Sequence, residues 1–446
     1  MATQELHVPE NGRTIETQAE AAKRENALGR MVMTYVSTGL AFMLLPGTFL
    51  GVWNLLSISA RQASNSVSAA WIQAHGQAQV LGWIGTFILG IGFYSIPKMR
   101  RARPFAMWEA WVCWTLWTTA VLLRWFAAIY EWHWRLTIPL SAGLELLAFA
   151  LFFKTVSSHR PAGGAAAGRT KLDRWIVVVI AGTMGLLATL IANLAGSIQV
   201  ALRGASPAFG PGFDQRFLVL MAWGFMVPFV WGFSARWLPT FLGLRPACER
   251  GLMRMVAVNT TGVVLAMLGM FHIAVLTLLV AAVMSLLAIR VAFPAVQPAK
   301  TEGVHPSFPF FVRLAYVWLV AAALLGVWAG FAPHPEGIWG ASRHALTVGF
   351  VATMVFAIGQ RILPAFSGMR LLWSPKLMGA SLSLLAAGCL LRVSSEILAY
   401  RGIVQAAWSW LPVSAVIELS AVTLFAANLA ATFLTEPPAA RLVQIG

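Results

Sequence analysis

The sequence predicts an all-α fold, a polytopic membrane bundle of about 12 transmembrane helices arranged as three pseudo-repeats of four. Three observations predict it. Of 446 residues, 59% are hydrophobic and only 11% are charged, against about a quarter charged in a soluble globular chain. Apolar runs of roughly 20 residues, the length that crosses the hydrocarbon of a bilayer, recur from end to end. Glycine, proline, arginine and glutamate positions in the first third of the chain reappear in the last third.

Spans are predicted at 31–53, 75–97, 105–124, 136–154, 174–202, 216–239, 252–271, 273–293, 309–331, 343–366, 377–398 and 408–435. The seventh and eighth meet at a tight turn near Phe271-His272. Residues 1–30 are a polar tail lacking the apolar core of a cleavable signal peptide. Residues 31–435 make one transmembrane domain, with repeats at about 31–154, 174–293 and 309–435, and 436–446 a short C-terminal tail.

An even number of spans places both termini on one side. With that side cytoplasmic, eight of the 32 Lys and Arg residues face outward: Arg61, Arg124, Arg135, Arg203, Arg216, Arg343, Arg392 and Arg401. The other 24 face inward, and excess positive charge marks the cytoplasmic side. The clusters Lys98-Met99-Arg100-Arg101-Ala102-Arg103 and Arg169-Thr170-Lys171 then read as topology signals and lipid head-group contacts. They account for the net charge of +16 without nucleic acid. Cys113, Cys248 and Cys389 share no CxxC spacing and suggest neither a disulfide framework nor a zinc site. No Walker loop, dinucleotide fingerprint or HExxH is present.

The repeat is the most informative feature. Gly82-Trp83, Gly224-Phe225 and Gly349-Phe350 each stand fifteen residues before a proline, at Pro97, Pro239 and Pro364. Helices four and twelve share Pro-x-Ser-Ala-x-x-Glu-Leu-x-Ala, beginning at Pro139 and Pro412, and Leu-Leu-Arg recurs before them at Arg124 and Arg392. Repeats of this kind build a site where copies meet.

Of eight histidines, His7, His159 and His305 fall in the tail or inner loops, and His133, His272 and His334 in outer loops or turns. His75 and His344 open repeat-related helices at matching depth. Two neutral imidazoles facing each other from separate helices suit a low-spin, six-coordinate haem iron built for electron transfer. The bland alternative is that each caps a helix or meets lipid head groups. Arg343, Arg124 and Arg392 are the candidate partners for haem propionates, although arginine at a helix end also snorkels to the interface unaided. Glu145 and Glu418 lie within apolar spans, where a carboxylate marks a functional site by default. They are candidates for proton conduction, metal binding, pairing with a buried Arg such as Arg361 or Arg236, or an interhelical hydrogen bond. Most of the 20 tryptophans form an aromatic belt, whereas Trp83 and Trp223, inside helices, are placed to pack on a cofactor.

The stretch from His75-Gly76-Gln77 to Tyr94-Ser95-Ile96-Pro97 resembles helix two of haem–copper oxidase subunit I, and His344 through Pro364 resembles its helix ten. The twelve-helix, three-repeat plan is shared. The run His344-Ala345-Leu346 with Gly349 and Thr353-Met354, followed by a helix-ending Arg, looks more specifically like the NnrS family, haem- and copper-containing membrane proteins of the bacterial nitric oxide response. The motif resemblance covers about 50 residues. It implies a bacterial inner-membrane protein carrying haem b between His75 and His344, with a respiratory-chain electron donor or a gaseous ligand such as nitric oxide as partner. The departures matter. Ser342 stands where the oxidases carry their high-spin haem ligand, no histidine lies on helix six or seven, and Gln77 and Phe366 occupy NnrS histidine positions. A binuclear reductase centre and bound copper therefore lack their ligands, which leans against an enzyme. The expected role is electron transfer, sensing or nitric oxide protection; the alternative is a proton-coupled secondary transporter that uses Glu145 and Glu418 and binds no haem.

Overall fold

The computed structural model describes residues 18–99, 105–158, 173–335, 337–366 and 371–435. Among these the chain forms twelve long helices and no strand. Helix α1 joins Gln18–Phe42 through a π-helical segment, Met43–Phe49, to Leu50–Arg61. Helix α2 joins Ala69–Gln77 through a π segment, Ala78–Gly85, to Thr86–Met99. Met107–Tyr130, Trp134–Ser158 and Arg174–Arg203 are α3, α4 and α5. Helix α6 joins Pro211–Val219, the π segment Leu220–Met226 and Val227–Leu242. Glu249–Met267, Phe271–Ala288 and Phe308–Phe331 are α7, α8 and α9. Helix α10 joins Ile338–His344, the π segment Ala345–Ala352 and Thr353–Phe366. Pro375–Tyr400 and Ala407–Leu434 are α11 and α12.

Eleven of the twelve are long and apolar enough to cross a membrane; the exception is α7, with 19 residues that include Glu249, Arg250 and Arg254. Leu136, Leu147, Ile191, Val280 and Leu390 face outward, an apolar exterior suited to hydrocarbon. The chain is a polytopic membrane protein.

Helix ends differ from the sequence-based spans because a helix runs on to its own start signal, whether the added residues are polar, as in α1, or largely apolar, as in α2 and α10. Helix α1 starts at Gln18, inside the stretch read as tail, because Ala, Glu and Lys are strong helix formers. Its polar extension is tied to α2, with Glu25 accepting hydrogen bonds from Lys98 Nζ at 2.6 Å and from the Tyr94 hydroxyl at 2.7 Å. Helix α2 starts at Ala69, capped by the Ser68 hydroxyl, which accepts from Ala70 N. His75 therefore does not open its helix but is its seventh residue, and His344 is the seventh residue of α10. The tight turn of the α7–α8 hairpin lies at 268–270, just before the expected Phe271-His272. The basic clusters at 100–103 and 169–171, with His7 and His159, lie outside the described residues.

The repeat has a backbone counterpart. The π segments of α2, α6 and α10 start four residues before Gly82, Gly224 and Gly349 respectively. The glycine–aromatic pairs thus mark the points where the i→i−4 ladder widens, a feature that clusters at functional positions. They are also points of close helix approach. The bare face of Gly185 on α5 lies against the Gly224 carbonyl, and Gly349 against the Trp318 ring of α9. Small residues permit such contact between helices in a membrane.

At one end of the bundle the connections interlock. Gln73 at the start of α2 bonds the Phe209 backbone in the α5–α6 connection, Arg135 bonds the carbonyls of Ala201 and Gly204, and Gln405 reaches Gln62. Both candidate histidines lie toward this end, called here the histidine end.

Candidate functional site

Each imidazole is oriented by a backbone carbonyl. His75 Nδ1 is 2.9 Å from Gly47 O, and His344 Nδ1 is 2.9 Å from Gly340 O. Gly47 lies in the π segment of α1, and Gly51, one turn on, gives the ring room: a Cβ at Gly51 would stand 2.8 Å from His75 Cε1. Among the described residues no hydrogen bond reaches either Nε2. An Nδ1–H directed at a carbonyl fixes the tautomer that leaves Nε2 with its lone pair, which is how a histidine is presented to a metal. The two rings, from the first and third repeats, lie close enough to interact electrostatically.

Helix α11 supplies a residue that the sequence reading missed. Glu396 Oε2 is 3.1 Å from His344 Nδ1 and 3.5 Å from Arg392 Nε. Glu396 rests against the bare face of Gly340, the glycine whose carbonyl His344 contacts. Its signal was present as an Arg-x-x-x-Glu pair within an apolar span, the i,i+4 spacing that brings opposite charges together on one helix face. Arg392 and Glu396 are both buried, and no hydrogen bond satisfies Arg392 Nε or Nη1. Arg343 bonds the Gln215 side chain of α6. Glu418 on α12 lies over Gly388 and within electrostatic reach of Arg392 and His344, with Oε1 unpartnered.

Arg124 and Glu145 form a second polar group, beside the turn of α2 that carries His75. Glu145 is fully buried; Oε2 accepts from Asn193 Nδ2 at 2.8 Å and Oε1 has no partner. Arg124 lies 4.7 Å over the Phe209 ring, and none of its three guanidinium nitrogens has a hydrogen-bond partner. The cation beside each repeat carboxylate is thus Arg124 for Glu145 and Arg392 for Glu418. Neither Arg361 nor Arg236 plays that part: Arg361 lies over Phe241 and Phe308. Arg124 with Glu145 and Arg392 with Glu418 are the matched repeat positions, and in each repeat the arginine lies within electrostatic reach of the carboxylate without bonding to it, Arg392 instead pairing with Glu396. Charges alternate across the histidine end from Glu145 to Arg124, Asp214, Arg343, Glu396 and Arg392, each within electrostatic reach of the next, with the last two at ion-pair distance.

Trp83 is buried in the α2 π segment, edge-on to Phe87 and Phe356 at 6.2 Å, with its indole nitrogen unpartnered. Trp223 packs in the α6 π segment, its carbonyl accepting from Asn259. His133, His272, His305 and His334 lie in or beside connections; His305, for instance, bonds the Ser307 hydroxyl at 2.6 Å. Among the described residues no cluster of three or more His, Cys, Asp or Glu forms a metal cage.

A membrane bundle of three helical repeats, with two carbonyl-oriented imidazoles on repeat-related helices, defines the class: an oxidase-like polytopic fold. The comparisons agree at that level. A domain of unknown function, DUF8744, matches residues 235–432, and no curated protein sequence matches. Solved structures do. In a cryo-EM structure of a heme-copper terminal oxidase dimer, one chain superposes with a TM-score of 0.71 at 12% identity, covering 92% of this chain and 85% of that chain. The haem–copper oxidase-like fold expected from the sequence is therefore the fold of this protein.

Proposed function

We propose that this protein is a haem-binding membrane protein related to NnrS, holding one haem b between His75 and His344. It would act in electron transfer, gas sensing or nitric oxide protection without a binuclear reductase centre. The observation that carries the reading is the pair of Nδ1–carbonyl contacts, which leaves both Nε2 atoms free for one iron. The orphaned guanidinium nitrogens of Arg392 fit an incoming anion, and Arg343 neighbours His344. Of the three arginines expected at the propionates, these two flank the pair, while Arg124 belongs to the pocket beside Glu145. Trp83 offers an indole N–H and an aromatic face in the adjoining core.

A haem held there by His75 and His344 would supply one-electron chemistry. The chain's own contribution is orientation and electrostatics. Gly47 and Gly340 fix the rings, and Glu396 holds negative charge against His344. Neither α6 nor α7 offers a histidine, so the copper site of an oxidase would lack its ligands. The bacterial inner membrane, cytoplasmic termini and an outward histidine end belong to the same proposal, on the distribution of Lys and Arg.

An absorption spectrum of the purified full-length chain tests the reading. A Soret band with low-spin character, lost in both His75→Ala and His344→Ala, supports it. A colourless preparation from haem-replete cells rejects it.

A further inference from the structure

A second polar site lies beside the histidine pair, in the first repeat. A small cavity between α2, α3 and α4 is lined by Gln77, Arg124, Trp125 and Glu145, with Ala74 and Ala78 as apolar wall. Four lining side chains carry buried polar atoms with no hydrogen-bond partner: both amide atoms of Gln77, all three guanidinium nitrogens of Arg124, the Trp125 indole nitrogen and Glu145 Oε1. Gln77, Arg124 and Glu145 are 6%, 3% and 0% exposed. Orphaned polar groups in a membrane interior cost several kcal/mol each, and so many converging on one cavity require an occupant.

The occupant's chemistry follows from the count. The cavity presents donors from Arg124, Trp125 and Gln77, and acceptors from Glu145 and Gln77. It needs a molecule that both donates and accepts. It offers about 10 Å³ to the centre of a water-sized molecule, close to what one water needs. We propose that the pocket binds water and that this water makes Glu145 a protonation site served from the histidine end.

The route is set by the neighbours of Glu145 on each packed helix. Asn193 of α5 holds Oε2, which leaves Oε1 toward the cavity. Gln77 of α2 and Arg124 of α3 face the same space, and Arg124 lies within electrostatic reach of Asp214, a partly buried carboxylate at the start of α6. A hydronium ion arriving past Asp214 gives its proton through the bound water to Glu145 Oε1. The products are a neutral carboxylic acid and water, with no redox change. The third repeat differs at the matching position: fifteen residues after Gly349, Pro364 sets the frame in which His344 corresponds to Gln77. One copy carries the imidazole and the other an amide that holds water. The site contains neither histidine and stands whether or not haem binds.

Infrared difference spectroscopy on the full chain in lipid nanodiscs, with a pH step in H₂O and in D₂O, tests this. A carboxylic C=O band that shifts in D₂O, vanishes in Glu145→Gln and persists in Glu418→Gln is the expected result. Gln77→Leu keeps the carboxyl but removes a partner of the water, and should slow hydrogen–deuterium exchange of the band by about tenfold. That variant decides the matter if Glu145→Gln does not fold. A pH-insensitive carboxyl, a band that survives in Glu145→Gln, or unaltered exchange in Gln77→Leu overturns the proposal.

Discussion

The carboxylate of Glu396 lies 3.1 Å from Nδ1 of His344, the same ring nitrogen that reaches the Gly340 carbonyl at 2.9 Å. One ring nitrogen therefore bonds the carbonyl and lies at ion-pair distance from the carboxylate. A negative partner raises the electron density of the opposite nitrogen and favours positive charge nearby. It also balances Arg392, which lies one turn away on α11.

Replacing this carboxylate with an amide, Glu396→Gln, keeps its size and removes its charge. In the proposed haem protein the oxidised centre carries one more positive charge than the reduced one, so loss of a nearby anion disfavours oxidation. The midpoint potential should rise, by on the order of 50 mV. A redox titration reads this directly; an unchanged or lowered potential would place Glu396 outside the field of the centre.

Gly51 gives the His75 ring its room. A side chain there meets Cε1 at 2.8 Å, and Gly51→Val should drive the imidazole off the Gly47 carbonyl. The expected cost to the fold is about 1–3 kcal/mol, with a far larger loss of haem per polypeptide. Pigment and thermal melting measured on the same sample separate the two effects.

Gly185 faces the Gly224 carbonyl across the α5–α6 contact, and a methyl group there would overlap backbone rather than a movable side chain. Gly185→Ala should therefore destabilise by about 1–3 kcal/mol or more. Gly143, whose added Cβ meets nothing within 4 Å, is the control: Gly143→Ala should leave the melting temperature unchanged or slightly raised. Equal behaviour of the two variants would contradict the close packing.

Among the described residues, Asn193 donates the one hydrogen bond that the Glu145 carboxylate accepts. Asn193→Leu leaves that buried group unsupported, at a cost of about 1–3 kcal/mol. The double variant Asn193→Leu with Glu145→Leu should be no less stable than Glu145→Leu alone, because Asn193 has no carboxylate left to serve; both share the cost of leaving Arg124 a buried cation without its neighbouring anion. A thermal-unfolding cycle in detergent checks it; additive losses would show that the two residues do not act together.

Much of the architecture was legible in the chain because its causes are local or periodic. Apolar runs fix span number, and the spacing from Gly82, Gly224 and Gly349 to Pro97, Pro239 and Pro364 exposed a repeat that returned as three π-helical segments. Span ends were less legible. The polar stretch 18–30 extends α1 without lengthening an apolar run, and α2 and α10 each begin six residues ahead of His75 and His344, so both histidines stood deeper than they seemed. Glu396 was overlooked since its meaning depends on Gly340, far away in sequence, having no side chain.

The amino-acid sequence alone determined that this chain lives in a bilayer, how many helices it folds into and that the first and last thirds echo one another. Hydrophobicity and backbone geometry act over a few residues and leave their mark in order. Which arginine serves which carboxylate was decided only by tertiary packing. Arg361 lies over phenylalanine rings and Arg124 beside Glu145 because helix rotation and glycine-permitted approach set those distances, and one-dimensional spacing carries neither.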